Sequence, residues 1–205
     1  MYEIKTIIDE NQLMKVYYFI TTLFYNDAKE NNEQYYDMSD RLEEMKDILK
    51  IDNNFLMYIE DNNQIIAALI GKDLNKKDQK ITMSIIAVDS KYRRKGIAKT
   101  LILEFEKRCL EKNIKHLELG SRIRACPLYL AMHYKPSLMI QVYNYPTIDD
   151  IKKKNKYNLK EISSWQGDNY GYIIYKTKEV KEEYIKWFEK NIKNSHAQYI
   201  FKKDL

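Results

Sequence analysis

The sequence predicts a mixed α/β fold, a sheet with helices packed against it, and three observations carry that prediction. An apolar, β-branched run from Ile81 to Val88 is long enough for one strand, and a polar turn and an amphipathic helix follow it at once. A hairpin precedes it, with strands at Asn54–Glu60 and Gln64–Lys72 around the turn Asp61–Asn62–Asn63. Helical periodicity fills much of the chain before that hairpin, and strand-like segments recur after it.

In order, Tyr2 to Ile8 reads as a first strand. Asp9 with Gln12 three residues on resembles a capping box, and the helix it opens runs to about Ala28. Leu13, Val16, Tyr17, Ile20, Leu23 and Phe24 line one face of that helix. Lys29 to Asp37 is polar and reads as a loop; Ser39 then caps a second helix through Lys50. After the hairpin, the loop Asp73–Lys80 leads to the Ile81 strand. The next helix ends near Lys112, with Ile97, Leu101, Ile102, Phe105 and Cys109 at helical spacing.

Lys115 to Leu119 is a further strand. Pro127 suits the first turn of a short helix, where its missing N–H costs nothing. Leu138–Tyr145 and Tyr170–Lys176 read as paired strands. Between them lies a basic, irregular segment, Pro146–Asn169, with a short helix around Lys152–Lys154. Val180–Asn194 reads as a final helix and Ala197–Lys202 as a last strand.

With 205 residues the chain suits one domain or one domain with an extension. Hydrophobic residues make up 44% and charged residues 32%, the balance of a soluble globular protein. No apolar run approaches the ~20 residues of a membrane span, and MYEIKTIIDE lacks the pattern of a secretion signal. Cys109 and Cys126 form no CxxC pair, which points to a reduced, cytoplasmic protein. His116, His133 and His196 lack metal-ligand spacing, so no metal site is expected. The net charge of +5 fits a polyanionic cofactor as well as nucleic acid, but no nucleic-acid motif is present and that partner is not expected.

The chemistry concentrates after Val88. Lys91, Arg93, Arg94 and Lys95 make the turn strongly basic, and Lys99 adds a fifth positive charge. The first N–H groups of a helix have no partner within the helix, and its dipole favours an anion there. Gly96 has no Cβ and Ala98 only a methyl, so a diphosphate can approach the backbone. The turn lacks the Gly-Lys-Ser/Thr of nucleotide hydrolases and the three glycines of dinucleotide folds.

Arg93–Arg94–Lys95–Gly96–Ile97–Ala98 resembles the acetyl-CoA signature Arg/Gln-x-x-Gly-x-Gly/Ala of the GCN5-related N-acetyltransferase (GNAT) superfamily. Ala125, Leu128 and Tyr129 resemble its second motif, Ala-x-x-Leu-Tyr, with His133 and Tyr134 standing where Gly and Phe would be. The element order β-α-α-β-β-β-α-β is that of the family. The resemblance spans residues 2 to 176, leaving 177 to 205 as a helix–strand extension on the same domain or on a partner subunit. It implies a mixed, mostly antiparallel, twisted sheet flanked by helices. It implies acetyl-CoA as cofactor, held by Arg93, Arg94, Lys95, Gly96, Ile97, Ala98 and Lys99, with the strand end Ile86, Ala87, Val88 pairing with the pantetheine arm.

The resemblance also implies acetyl transfer to a primary amine of a small molecule, peptide or protein, with Tyr129 as general acid toward the departing thiolate. Many relatives carry a glutamate on the central strand where this chain has Thr82. Ser84 or Thr82 orienting a water, an amine of low pKa, or a carboxylate from Glu60, Asp73 or Glu118 are the alternatives for the base. Arg122 stands where relatives place an asparagine, and with Arg124 it suits an anionic acceptor, the cofactor's ribose phosphate or plain solvent. The alternative function is a non-catalytic acyl-CoA sensor or scaffold. Trp187 and Phe188 in the extension suggest a homodimer.

Overall fold

The computed structural model describes residues 2–31, 38–144 and 147–205. Most of the loop expected before Ser39, including Tyr35 and Tyr36, lies outside them, as do Tyr145 and Pro146. The chain forms two compact units, residues 1–117 with 204–205 and residues 118–203.

The first unit opens with β1 (Ile4–Thr6) and α1 (Glu10–Glu30). The Asp9 carboxylate accepts the Gln12 N–H at 2.8 Å, while the Gln12 side chain reaches back to the N–H of Ile8 at 3.1 Å. The expected cap is present, with its return bond one residue earlier than in a capping box. Leu13, Val16 and Ile20 are the fully buried face of α1. Helix α2 (Ser39–Asp52) departs from expectation: Ser39 is its first residue, and Met38 holds the cap position without a side-chain bond.

Strands β2 (Leu56–Asp61), β3 (Gln64–Asn75) and β4 (Lys80–Val88) follow, with the antiparallel order β1-β2-β3-β4 in this unit. The β2–β3 turn has φ of 50° at Asn62 and 61° at Asn63. Two left-handed residues make the type I′ hairpin whose twist suits flanking strands, and asparagine tolerates that region. Helix α3 (Ile97–Glu111) lays Phe105 edge-on to Phe55, ring centroids 5.6 Å apart. Gly71 on β3 makes that contact possible: a Cβ there would meet Phe55 Cβ and Ile81 Cδ1 at 3.0 Å.

The second unit takes up β5 (His116–Ser121) and continues with α4 (Cys126–Ala131), β6 (Lys135–Tyr143) and α5 (Ile148–Lys153). Then come β7 (Glu161–Gln166), β8 (Tyr170–Lys176), α6 (Glu182–Asn191) and β9 (Ser195–Asp204). Strand order here is β5-β9-β6-β8-β7. The expected pairing of Leu138 onward with Tyr170–Lys176 is present, Leu138 opposite Tyr175 and Tyr143 opposite Tyr170. Strand β9 pairs with β6 of the same chain, Lys135 opposite Lys202 through Val142 opposite Ser195.

Alternation on β6 separates two faces. Leu138, Ile140 and Val142 are buried together with Ile173, Tyr175, Ala197 and Tyr199 opposite them. Helix α6 covers that side, with Phe188 stacked on Tyr175 at 5.9 Å. Ser137, Met139 and Gln141 point the other way and are only half-buried. Strand β7 falls inside the segment expected to be irregular. All six of its residues are exposed, so no apolar alternation marks it in the sequence.

Gly71→Ala should lower stability by about 1–3 kcal/mol, because Phe55 Cβ is bonded directly to its backbone and cannot swing aside. Denaturant titration checks this, and an unchanged midpoint would remove the close-approach account.

Candidate functional site

The candidate site starts where β4 ends. Val88, Ala87 and Ile86 pair with Ala67, Ala68 and Leu69 of β3, and the Asp89 N–H continues the ladder to Ile66 O at 2.9 Å. Ala87 is buried and its two neighbours half-buried. The Asp89 carboxylate then accepts the Lys91 N–H at 2.9 Å and starts a single tight turn, Ser90–Tyr92.

Arg93 closes the turn. Its Nε donates to Val88 O at 2.9 Å, and its other end donates to Asp27 Oδ2 at 2.6 Å. The guanidinium thus ties the end of β4 to α1. The Val88 carbonyl, expected to serve the pantetheine arm, already accepts one bond from Arg93 and keeps one lone pair. Arg94 takes φ 64° and Gly96 φ 82°, two left-handed residues in three.

Gly96 is the cap residue of α3, and the Thr100 N–H reaches its carbonyl at 3.0 Å. The N–H groups of Ile97, Ala98 and Lys99 come before that first intrahelical bond, so the helix offers them no acceptor. A Cβ built at Gly96 would meet nothing within 4 Å. The helix start is therefore open on the side where its donors and dipole favour an anion. Arg94, Lys95 and Lys99 are exposed around it, and Lys95 Nζ lies 4.9 Å from the Tyr92 ring centre. The bond from Tyr92 to Asp61 Oδ2, 2.9 Å long, pushes the phenol's pKa up and fixes the ring beneath Lys95.

A cavity of about 320 Å³ lies in the same unit, lined by Tyr18, Phe19, Thr22, Leu23 and Asn26 of α1 together with Asp89. Sequence reasoning passed over Asp27 and Asp89. The Asp27–Arg93 pair spans 66 residues and leaves no local spacing to find, whereas Asp89 directly before a turn was a visible cap signal.

Tyr129 belongs to the second unit, on α4, with Pro127 in the first turn as expected. The ring is 6% exposed and packs on Phe201 at 5.3 Å and Tyr134 at 6.0 Å. Burial, with a smaller contribution from Cys126, drives its pKa well above the ordinary phenol value. Its hydroxyl makes no hydrogen bond among the described residues. At the end of α4, His133 takes φ 64° and the Tyr134 N–H returns to Tyr129 O at 3.0 Å. That is the left-handed helix ending in which glycine is usual.

The candidate carboxylates are engaged elsewhere: Glu60 with Lys5 at 2.5 Å, Glu118 with Lys202 at 3.1 Å, and Asp73 beside Lys72 at 3.7 Å. On β4 the Ser84 Oγ is buried without a partner among the described residues. Arg122 contributes its charge near Glu189 in the second unit. Both cysteines are free and buried, and burial pushes Cys109 up to about 12, so neither is a thiolate near neutral pH.

A strand, a basic turn and an open helix start form the candidate site on a mixed α/β scaffold. The chain belongs to the acetyltransferase (GNAT) family: the family's sequence profile matches residues 19–134, more than half of the chain. Similar solved structures include Ard1 from Thermoplasma volcanium, 15% identical over 84% of this chain and 95% of that one, with a TM-score of 0.52. The ribosomal-protein-S18-alanine N-acetyltransferase from Escherichia coli is 16% identical over 89% and 97%, TM-score 0.51. A structure of the NatC complex bound to Gag peptide and CoA contains a chain 16% identical over 84% and 96%, TM-score 0.52. At these identities the likeness is one of fold, the mixed α/β fold expected from the sequence. No curated protein matches the chain.

Stability should fall as pH rises from about 9 to 12. Cys109, Tyr175 and Tyr199 are each pushed up to about 12 by burial, from ordinary values of 9.0 and 10.0. The unfolded chain therefore releases these protons first, so their contribution is intact below pH ~9 and lost above it. Denaturant midpoints at pH ~8 and ~10.5 check the sign. Equal midpoints would contradict it.

Proposed function

We propose that the chain transfers acetyl from acetyl-CoA directly to a primary amine of a small molecule, peptide or protein. The observation that carries the proposal is the open start of α3 at Gly96, directly after β4. The residues present fit a diphosphate there: the N–H groups of Ile97, Ala98 and Lys99 for its oxygens, and Arg94, Lys95 and Lys99 for its charge. Arg93 acts one step back, holding the loop through Val88 and Asp27. The half-buried edge of Ile86–Val88 suits the pantetheine arm. Acetyl-CoA, when bound, supplies the activated thioester.

Direct transfer is favoured because neither cysteine offers a thiolate to carry the acetyl group. Tyr129 matches the family's acid by its place in the motif; burial raises its pKa, so the phenol stays protonated and donates a hydrogen bond toward the departing thiolate. For the amine, β4 carries no carboxylate, so the proton leaves to water or the amine arrives with a low pKa. The neighbours acting on a ribosomal-protein alanine and bound to a peptide support an amine acceptor. A binding-only module is not favoured, given the family match.

Two variants of Gly96 test the cofactor reading by calorimetric titration with acetyl-CoA. Gly96→Ala and Gly96→Glu both pay the left-handed strain of about 1–2 kcal/mol, but only glutamate adds charge and bulk. Binding should weaken in the first and vanish in the second. Unchanged binding in both would remove the diphosphate from this position. Tyr129→Phe should lower kcat about 100-fold or more while acetyl-CoA affinity stays within about twofold. Undiminished kcat would return Tyr129 to a packing role.

A further inference from the structure

The half-exposed face of the second unit has an order to it that the acetyl-transfer reading does not use. Strands β6, β8 and β9 pair without a register shift, so residues directly opposite one another share a face. At one end of the open face lie four aromatic rings. Tyr143 is opposite Tyr170, and Trp165 of β7 is opposite Tyr172. Their centroids are 5.3 Å apart for Tyr143–Tyr170, 6.0 Å for Trp165–Tyr170 and 6.4 Å for Trp165–Tyr172. Trp165 is 52% exposed and Tyr143 45%. The indole lies over Gly167, where a Cβ would come within 2.6 Å of the ring.

At the other end the same face is basic. Lys135 is opposite Lys202, and Lys176 is opposite Ser137, two residues along. All three lysines are exposed; Lys202 is shared with Glu118 at 3.1 Å, and Lys135 and Lys176 form no ion pair among the described residues. Like charges facing each other across strands destabilise a sheet unless an anion lies between them. Between the two ends, Gln198 donates to Gln141 at 3.0 Å and Gln141 to the Tyr170 hydroxyl at 2.8 Å, leaving amide groups along the middle. From Tyr143 to Lys135 the face runs about 26 Å at ~3.3 Å per residue.

Charge follows the same division. Residues 118–203 hold 16 Lys and Arg against 9 Asp and Glu, a net +7, while the remainder of the chain is net −2.

We propose that this face binds single-stranded nucleic acid, the bases stacking on Trp165, Tyr172, Tyr170 and Tyr143 and the phosphates meeting Lys135, Lys176 and Lys202. Rings give a π-face to any base, and lysines track a backbone without reading it, so binding is sequence-tolerant. An acidic peptide would satisfy the lysines but leave four rings without flat partners. Edge-to-edge pairing of β7 with another chain is disfavoured by the bulge between Glu161 and Ser163. No motif announces this site in the sequence, because its residues come from four strands and meet only in the fold.

The test is anisotropy of a fluorescein-labelled single-stranded RNA of about 12 nucleotides, within the site sizes of ~4–16 usual for such surfaces. The 205-residue chain should bind with a log–log salt slope near 2, three phosphates at ~0.7 each. Trp165→Ala with Tyr172→Ala should weaken binding at least about tenfold, and Gly167→Ala should do so in part by displacing the indole. Lys135→Glu with Lys176→Glu should cut the slope by about 0.7 per lysine. In the Trp187→Phe variant, Trp165 is the sole indole and RNA should quench it. The proposal is overturned by absent binding, by binding indifferent to the aromatic pair, or by equal binding of polyglutamate or phosphatidylserine vesicles. None of these readouts requires acetyl transfer, so the two proposals fail separately.

Discussion

Arg93 is the constraint on which the loop before α3 depends. One guanidinium bonds a carbonyl at the end of β4 and a carboxylate on α1, 2.9 and 2.6 Å away. A planar fork with fixed donors can hold two acceptors in set directions, which a lysine's single flexible ammonium would not do. With the turn fixed at that point, Arg94 and Gly96 are held in left-handed conformations and the axis of α3 is aimed. The helix start stays open because no side chain fills it and because Arg93 is occupied elsewhere. On the proposed function, a positively charged residue of the signature serves the ligand through the backbone it positions.

The second unit solves a different problem. Its sheet buries one face under Phe188, Tyr129 and their neighbours and leaves the other half-covered. The buried face is aromatic and aliphatic without charge, and there even phenols hold their protons to pH ~12. Tyr199 offsets its burial by bonding both backbone groups of Lys181, whereas the Tyr175 hydroxyl is buried without a partner. An unpaired hydroxyl costs about 1–3 kcal/mol, so packing of the Tyr175 ring on Phe188 outweighs a real penalty.

What could be read beforehand was what is local. The β4–turn–α3 unit is contiguous, and its strand, basic turn, small residues and helical spacing lie within thirty-two residues, Ile81 to Lys112. The Asn62–Asn63 hairpin and the Asp9 cap were legible for the same reason. Strand β7 was not, because a strand exposed on both faces shows no alternation and takes its place from its partner β8. The start of α2 was misplaced because Ser39 carries the usual cap chemistry while Met38 occupies the position. Asp27 and the aromatic face lay beyond reach because separation in sequence hides partners that only the fold brings together.

Two left-handed positions show how a departure from a family motif should be weighed. His133 stands where the motif has glycine, takes φ 64° and lets Tyr134 bury to 2% exposure, so the helix ending is kept. A non-glycine residue pays about 1–2 kcal/mol there, and nothing needs to approach the backbone. Gly96 has a similar φ of 82°, and the same substitution would carry the same strain. Its surroundings differ: open space lies where a Cβ would point, beside the unpaired donors of α3. If backbone geometry alone fixed residue choice, the two positions would tolerate side chains equally. On the proposed function they do not, because at Gly96 the missing side chain is the room a ligand occupies.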